Sequence, residues 1–118
     1  MKRKPEIPTL TDDNFDRQIF ESSIVLVKFG TEWSGACHML MPVVEDLSET
    51  FAERCRFYLV DVEQAPQTAG RFDVSTFPTI LILRDGEVLL RFSGVVSKND
   101  LKQHLAELSE EEVNEEAF

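Results

Sequence analysis

Thiols are scarce in this chain: Cys37 and Cys55 are the only cysteines among 118 residues. Two sulfurs do not make a disulfide framework, and these two are not expected to pair. A helix over residues 35–52 would hold them roughly 25 Å apart at its ~1.5 Å rise per residue, whereas a disulfide needs Cα atoms within ~7 Å. Cys55 is read as a structural thiol at the far end of that helix. Positive charge is also short, with 12 Lys and Arg against 22 Asp and Glu and a net charge of −10. Such a balance argues against nucleic acid as a partner, because a phosphate backbone attracts basic surfaces. No apolar run approaches the ~20 residues of a membrane span. The start, Met1-Lys2-Arg3-Lys4, leads into Pro5-Glu6-Ile7-Pro8 with no apolar stretch behind it, so no secretory signal is expected. The expected location is cytoplasmic, with no membrane contact. Cys37 and His38 are neighbours that would point differently on a helix, and no second pair has zinc-like spacing. No metal and no cofactor are expected.

Apolar residues make up 42% of the chain and nine are Phe, enough for one buried core without staples. The expected organisation is an N-terminal extension over residues 1–7, one domain over 8–109 and an acidic tail over 110–118. In the tail, Glu110, Glu111, Glu112, Glu115 and Glu116 crowd together as a frayed helix or solvated end.

Leu10 to Phe15 reads as a helix start, with Thr11 as cap, Asp12 and Asp13 on the positive helix end, and Leu10 stapled onto Phe15. Ile24 to Val27 is a continuous apolar run, the pattern of a strand covered on both faces, and Lys28 interrupts it. Leu40, Val43, Val44, Leu47 and Phe51 draw one helical stripe, with Pro42 inside it as a kink. Strands are predicted at Phe57–Val62, Thr79–Leu83 and Val88–Phe92, with Asp85-Gly86 as a hairpin turn. Pro66 to Phe72 reads as a short helix. Ser97 and Asp100 begin a last helix whose Leu101, Leu105 and Leu108 face inward. Strands alternating with helices imply parallel pairing, and the Asp-Gly turn adds an antiparallel edge. The fold class is α/β: a central mixed sheet of four to five strands flanked by helices on both faces.

Ser34-Gly35-Ala36-Cys37 follows Trp33 at the head of the striped helix. Together with Val27-Lys28-Phe29-Gly30, Met41-Pro42, Thr76-Phe77-Pro78-Thr79, Asp85-Gly86 and Gly94, it closely resembles the thioredoxin family over residues 8–108. The resemblance implies the thioredoxin fold and a cis peptide bond before Pro78, facing the Ser34–Cys37 turn. It further implies that Ser34 stands where the family has its exposed attacking cysteine, and Cys37 where it has the buried resolving one. A thiol at a helix N-terminus meets a partial positive charge that favours the thiolate. Ser34 receives the same field but stays an alcohol unless a base takes its proton, and neither His38 nor His104 is placed to do so. Its alternative role is that of a helix N-cap.

Cys37 keeps its sulfur without a partner. It is either a small buried hydrophobe or a lone thiol open to mixed disulfides and glutathione adducts. At Lys28 the family usually carries a buried Asp that helps deprotonate the resolving thiol, and at Leu59 often a Lys paired with it. The proton-handling pair is therefore replaced along with the attacking thiol. A buried Lys28 would have its pKa lowered or find a counter-ion, for which a Cys37 thiolate is one candidate; alternatively its stem lies along the sheet with its head in water. The family's usual Pro in the turn is Ala36 here.

By resemblance, Trp33, Gly35, Ala36, Phe77, Pro78, Gly94 and Val95 surround a groove for an extended polypeptide segment, which would pair with the backbone beside Pro78. Two functional readings follow. One is a thioredoxin-like binding protein, chaperone or adaptor, without dithiol exchange. The other is a thiol–disulfide oxidoreductase of redox homeostasis, served by a thioredoxin reductase, acting through Cys37 alone or silenced by an engineered serine at residue 34. A lone edit, however, would have left the Asp/Lys pair in place.

Overall fold

The computed structural model describes residues 6–21 and 23–117. In chain order the elements are β1 (Thr9–Leu10), α1 (Phe15–Ile19), β2 (Ile24–Gly30), α2 (Gly35–Thr50) and β3 (Cys55–Asp61). They continue with α3 (Pro66–Arg71), β4 (Thr79–Arg84), β5 (Glu87–Ser93) and α4 (Lys98–Ala117). The first residues of the expected N-terminal extension, 1–5, lie outside the described residues. Residues 110–117 are helical backbone continuous with α4. No helix among the described residues is long and apolar enough to cross a membrane.

All seven residues of β2 are buried, as a strand covered on both faces requires. Its alternation divides the core. Ile24 and Leu26 pack with Leu40, Val44 and Leu47 of α2 and with Leu101 and Leu105 of α4. Val25, Val27 and Phe29 pack on the opposite face with Phe15 and Ile19 of α1 and with Phe72 just after α3. Lys28 does not end the strand. Its backbone pairs with Leu59 on one side and Ile80 on the other, because ladder bonds are made by the main chain whatever the side chain.

The sheet order is β1–β3–β2–β4–β5. β3 lies parallel to both β1 and β2, but β4 runs antiparallel to β2, against the parallel pairing that alternation implied. The connection through α3 returns the chain to the end of the sheet where β2 finishes, so β4 must run back. The β4–β5 hairpin turns at Asp85 (φ 53°) and Gly86 (φ 79°), two left-handed residues that match the twist of an antiparallel pair. One extra β5 residue, Leu89, is accommodated between the Ile82–Leu90 and Leu83–Val88 pairs.

The chain start differs from expectation. Leu10 belongs to a strand paired with β3, and α1 begins only at Phe15, so Thr11 is not its cap. The Thr11 N–H instead donates to Asn14 Oδ1 (2.8 Å). Asp12 caps another helix altogether. Its carboxylate accepts from the Gln67 N–H, the Thr68 N–H and the Thr68 hydroxyl at the start of α3, and these bonds hold its pKa below the ordinary carboxylate range. At the other end of the chain, Ser97 Oγ accepts from the Asp100 N–H (3.1 Å) at the entry to α4, as the sequence predicts. The α2 helix continues through Pro42 to Thr50, and Cys55 opens β3 instead of closing the helix.

Candidate functional site

Antiparallel pairing of β4 with β2 decides what meets at one end of the sheet. Phe29 pairs with Thr79, and Thr79 with Ser93. The residues after β2, before β4 and after β5 are thereby brought to the same edge, and these carry the Trp33–Cys37, Phe77–Pro78 and Gly94–Val95 segments.

Ser34 takes extended backbone angles (φ −86°, ψ 118°) and caps α2. Its Oγ accepts from the Cys37 N–H at 3.3 Å, and its carbonyl accepts from the His38 N–H at 3.3 Å. The hydroxyl thus occupies the position where the helix dipole is strongest, but as an acceptor. Among the described residues no imidazole or carboxylate bonds to it. The His38 ring bonds through Nε2 to the Glu32 carbonyl. A carbonyl can only accept, so that nitrogen carries its proton and is not a free base. The His104 ring packs tilted against Phe92, with centroids 5.5 Å apart and planes at 51°.

Cys37 is buried, 2% exposed, one turn into α2. Its Sγ occupies the space a side chain at residue 30 would fill: a Cβ on Gly30 would lie 2.8 Å from it and 3.6 Å from Lys28 Cε. Gly30 is a part of the site that the sequence reading missed, although a glycine closing an otherwise bulky strand marks close approach. Cys55 pairs with Ile24 at the other end of β2, so the two sulfurs are separated by about 20 Å of strand.

Lys28, on the same face of β2 as Leu26, is 7% exposed. Among the described residues no carboxylate lies within ion-pair distance of its ammonium. Burial pushes its pKa below the ordinary lysine value, and negative charge on Cys37 partly opposes that shift. Lys28, Gly30 and Cys37 line one cavity of about 560 Å³, with Leu59, Asp61 and His38 among its other walls. The Lys28 stem is buried on the sheet, and the residue lines this cavity.

The lowered pKa makes Lys28 a pH-dependent cost. Below its folded-state pKa both folded and unfolded chains hold the proton, and the native state bears the full penalty. Between that value and the unfolded 10.5 the unfolded chain binds more protons, so stability rises with pH. Lys28→Met should stabilise the fold at neutral pH by about 1 kcal/mol. That gain should shrink as pH climbs towards the ordinary lysine value. Denaturant midpoints of both chains across neutral to alkaline pH measure it, and a difference that does not change with pH would contradict this account.

Beside the capped turn lies an apolar surface. Trp33, 69% exposed, meets Phe77 edge-on with centroids 6.0 Å apart and planes at 89°. Val95 is also exposed. The Phe77–Pro78 peptide bond is cis. The Pro78 carbonyl accepts from the Gly94 N–H at 2.7 Å, a contact for which Gly94 adopts φ +89°, a conformation suited to glycine. Among the described residues no backbone bond uses the N–H or carbonyl of Phe77. Gly35 and Ala36 form the first residues of α2, and the space above Gly35 is open.

A family model described as Thioredoxin matches residues 6–107. Among curated proteins, a thioredoxin of Staphylococcus haemolyticus is 35% identical over 99 residues, covering 84% of this chain and 94% of that protein. A thioredoxin of Buchnera aphidicola is 35% identical over 103 residues, covering 86% and 95%. The chloroplastic thioredoxin M4 of Arabidopsis thaliana is 33% identical over 99 residues, covering 83% of this chain, which spans only 51% of that relative.

Proposed function

Because the chain belongs to the thioredoxin family of thiol–disulfide oxidoreductases, we propose that it keeps the family's polypeptide-binding surface and has given up dithiol exchange. The observation that carries this reading is the Ser34 hydroxyl, which caps the Cys37 N–H and has no imidazole or carboxylate bonded to it among the described residues. Disulfide exchange needs a thiolate to attack. An alcohol at ordinary acidity supplies no comparable nucleophile. The partner class is a polypeptide in extended form, bound in the cytoplasm, with an adaptor or chaperone-like outcome. Phe77 offers it a backbone N–H and carbonyl beside the cis bond, and Trp33, Phe77 and Val95 offer apolar area. In this reading Ser34, at the family's attacking position, serves as a helix cap, and Cys37 and Lys28 take no part in dithiol exchange. The substrate-binding positions Trp33, Gly35, Ala36, Phe77, Pro78, Gly94 and Val95 retain their role.

Two measurements test it. The chain as written should show no insulin-disulfide reduction above the uncatalysed background, even with a thioredoxin reductase and its electron donor supplied. Trp33 is the only tryptophan, so binding of an apolar extended peptide should shift its emission to shorter wavelength, and Val95→Asp should weaken that binding at least about fivefold. Sustained reductase turnover would refute the proposal. So would an emission spectrum that stays unchanged across an apolar peptide library.

A further inference from the structure

The cavity that Lys28 and Cys37 share is separate from the groove, because Trp33, Phe77, Pro78, Gly94 and Val95 take no part in its walls. Nothing in the polypeptide-binding reading uses it. Its wall includes Lys28, a residue more than nine-tenths buried whose ammonium has no carboxylate partner among the described residues. Leaving such a cation unpaired in a cavity is costly unless something anionic enters. The acidic groups around the cavity are otherwise disposed. Glu32 and Glu63 are exposed at its rim, and Asp61 accepts from the Glu63 N–H. The thiol of Cys37 lines the same space.

We propose that this cavity captures a small carboxylate-bearing disulfide, its carboxylate paired with Lys28 and one of its sulfurs joined to Cys37. In the exchange the Cys37 thiol loses its proton to solvent, and the thiolate attacks one sulfur of the bound R–S–S–R. The Cys37 Sγ–S bond forms, the ligand S–S bond breaks, and the second half departs as R–S⁻ with the electron pair. The disulfide is the oxidant, so no other reagent is needed. The adduct has no internal route of release. Ser34 carries no sulfur, and Cys55 stands about 20 Å away at the other end of the strand pair. Only an external thiol can discharge it, which makes the site a reversible store for one small thiol and not a turnover centre. Burial also keeps a fraction of Lys28 neutral at alkaline pH, so capture through charge pairing should weaken there.

The test uses the folded full chain with three disulfides of similar size: 3,3′-dithiodipropionate (anionic), bis(2-hydroxyethyl) disulfide (neutral) and cystamine (cationic). Adduct formation is followed by intact mass and located by peptide mapping. With a net charge of −10, the protein as a whole favours the cation. A Lys28-controlled site reverses that order, with the dianion reacting at Cys37 at least about threefold faster than cystamine. Lys28→Met should abolish the preference, and Cys37→Ala should remove the adduct. The order in the unsubstituted chain needs no variant to fold. Cystamine reacting as fast or faster would overturn the proposal, as would an adduct that appears only at denaturant concentrations that also label Cys55. The outcome is independent of the reductase assay, since a chain can store a thiol whether or not it reduces insulin.

Discussion

Ser34→Cys is expected to raise insulin-disulfide reduction to a measurable rate, and Ser34→Cys with Lys28→Asp to raise it further. The first substitution places a thiol where the α2 N-terminus, with its unpaired N–H groups and partial positive charge, favours the thiolate. The second sulfur is already one turn away at Cys37. What the single variant still lacks is a proton acceptor for that buried thiol. Lys28, on the adjoining strand and lining the same cavity, is an amine at the position where the family usually has a carboxylate. A positioned general base contributes roughly a hundredfold at the lower end of its usual range. The double variant should therefore exceed the single one by on the order of ten- to a hundredfold in insulin reduction, most clearly near neutral pH. If Ser34→Cys alone matches an ordinary thioredoxin, Lys28 is no obstacle and the loss of function rests on one atom. If neither variant reduces insulin, the turn itself is no longer competent, and the proposed history of a redox site stripped to its binding surface fails.

Gly30→Ala should be among the costliest single-carbon additions in the domain. Replacing a strand glycine with alanine would ordinarily gain about 0.5–1 kcal/mol from reduced chain freedom. Here the new Cβ would lie 2.8 Å from Cys37 Sγ and 3.4 Å from Cys37 Cβ. The sulfur cannot step aside cheaply, because it is buried on a helix whose first turn is fixed by the Ser34 cap. Overpacking of this kind costs roughly 1–3 kcal/mol, so the clash outweighs the entropic gain. Cys37→Ala removes the sulfur and leaves a Cβ at near-ordinary contact. In that background Gly30→Ala should be close to neutral, giving a coupling of about 1–2 kcal/mol in a double-mutant cycle. Equal costs in both backgrounds would show that the two residues are not in the close packing described.

Taken alone, the order of residues determined the α/β class, the four long strands β2 to β5, the helices α2, α3 and α4, the hairpin at Asp85-Gly86 and the oxygen at position 34. Each of these rests on short-range physics: apolar spacing, turn-forming pairs and caps within a few residues. The local signal failed where partners came from far along the chain. Leu10 looked like a staple at a helix start because a two-residue strand has no period of its own; its pairing with Val60 of β3 makes it a strand. Asp12 looked like part of the same cap, yet the donors it serves, at Gln67 and Thr68, are more than fifty residues away. The antiparallel run of β4 could not be read from alternation either, because pairing direction is set by where the α3 connection delivers the chain. The same holds at the site. Sequence marked out Ser34, Cys37 and Lys28 one by one, but only packing of α2 over the end of β2 put a buried lysine, a buried thiol and a side-chain-free Gly30 around one cavity. Close approach of that kind is a property of the assembled layers, since burial and distance exist only once the sheet and helices have been brought together.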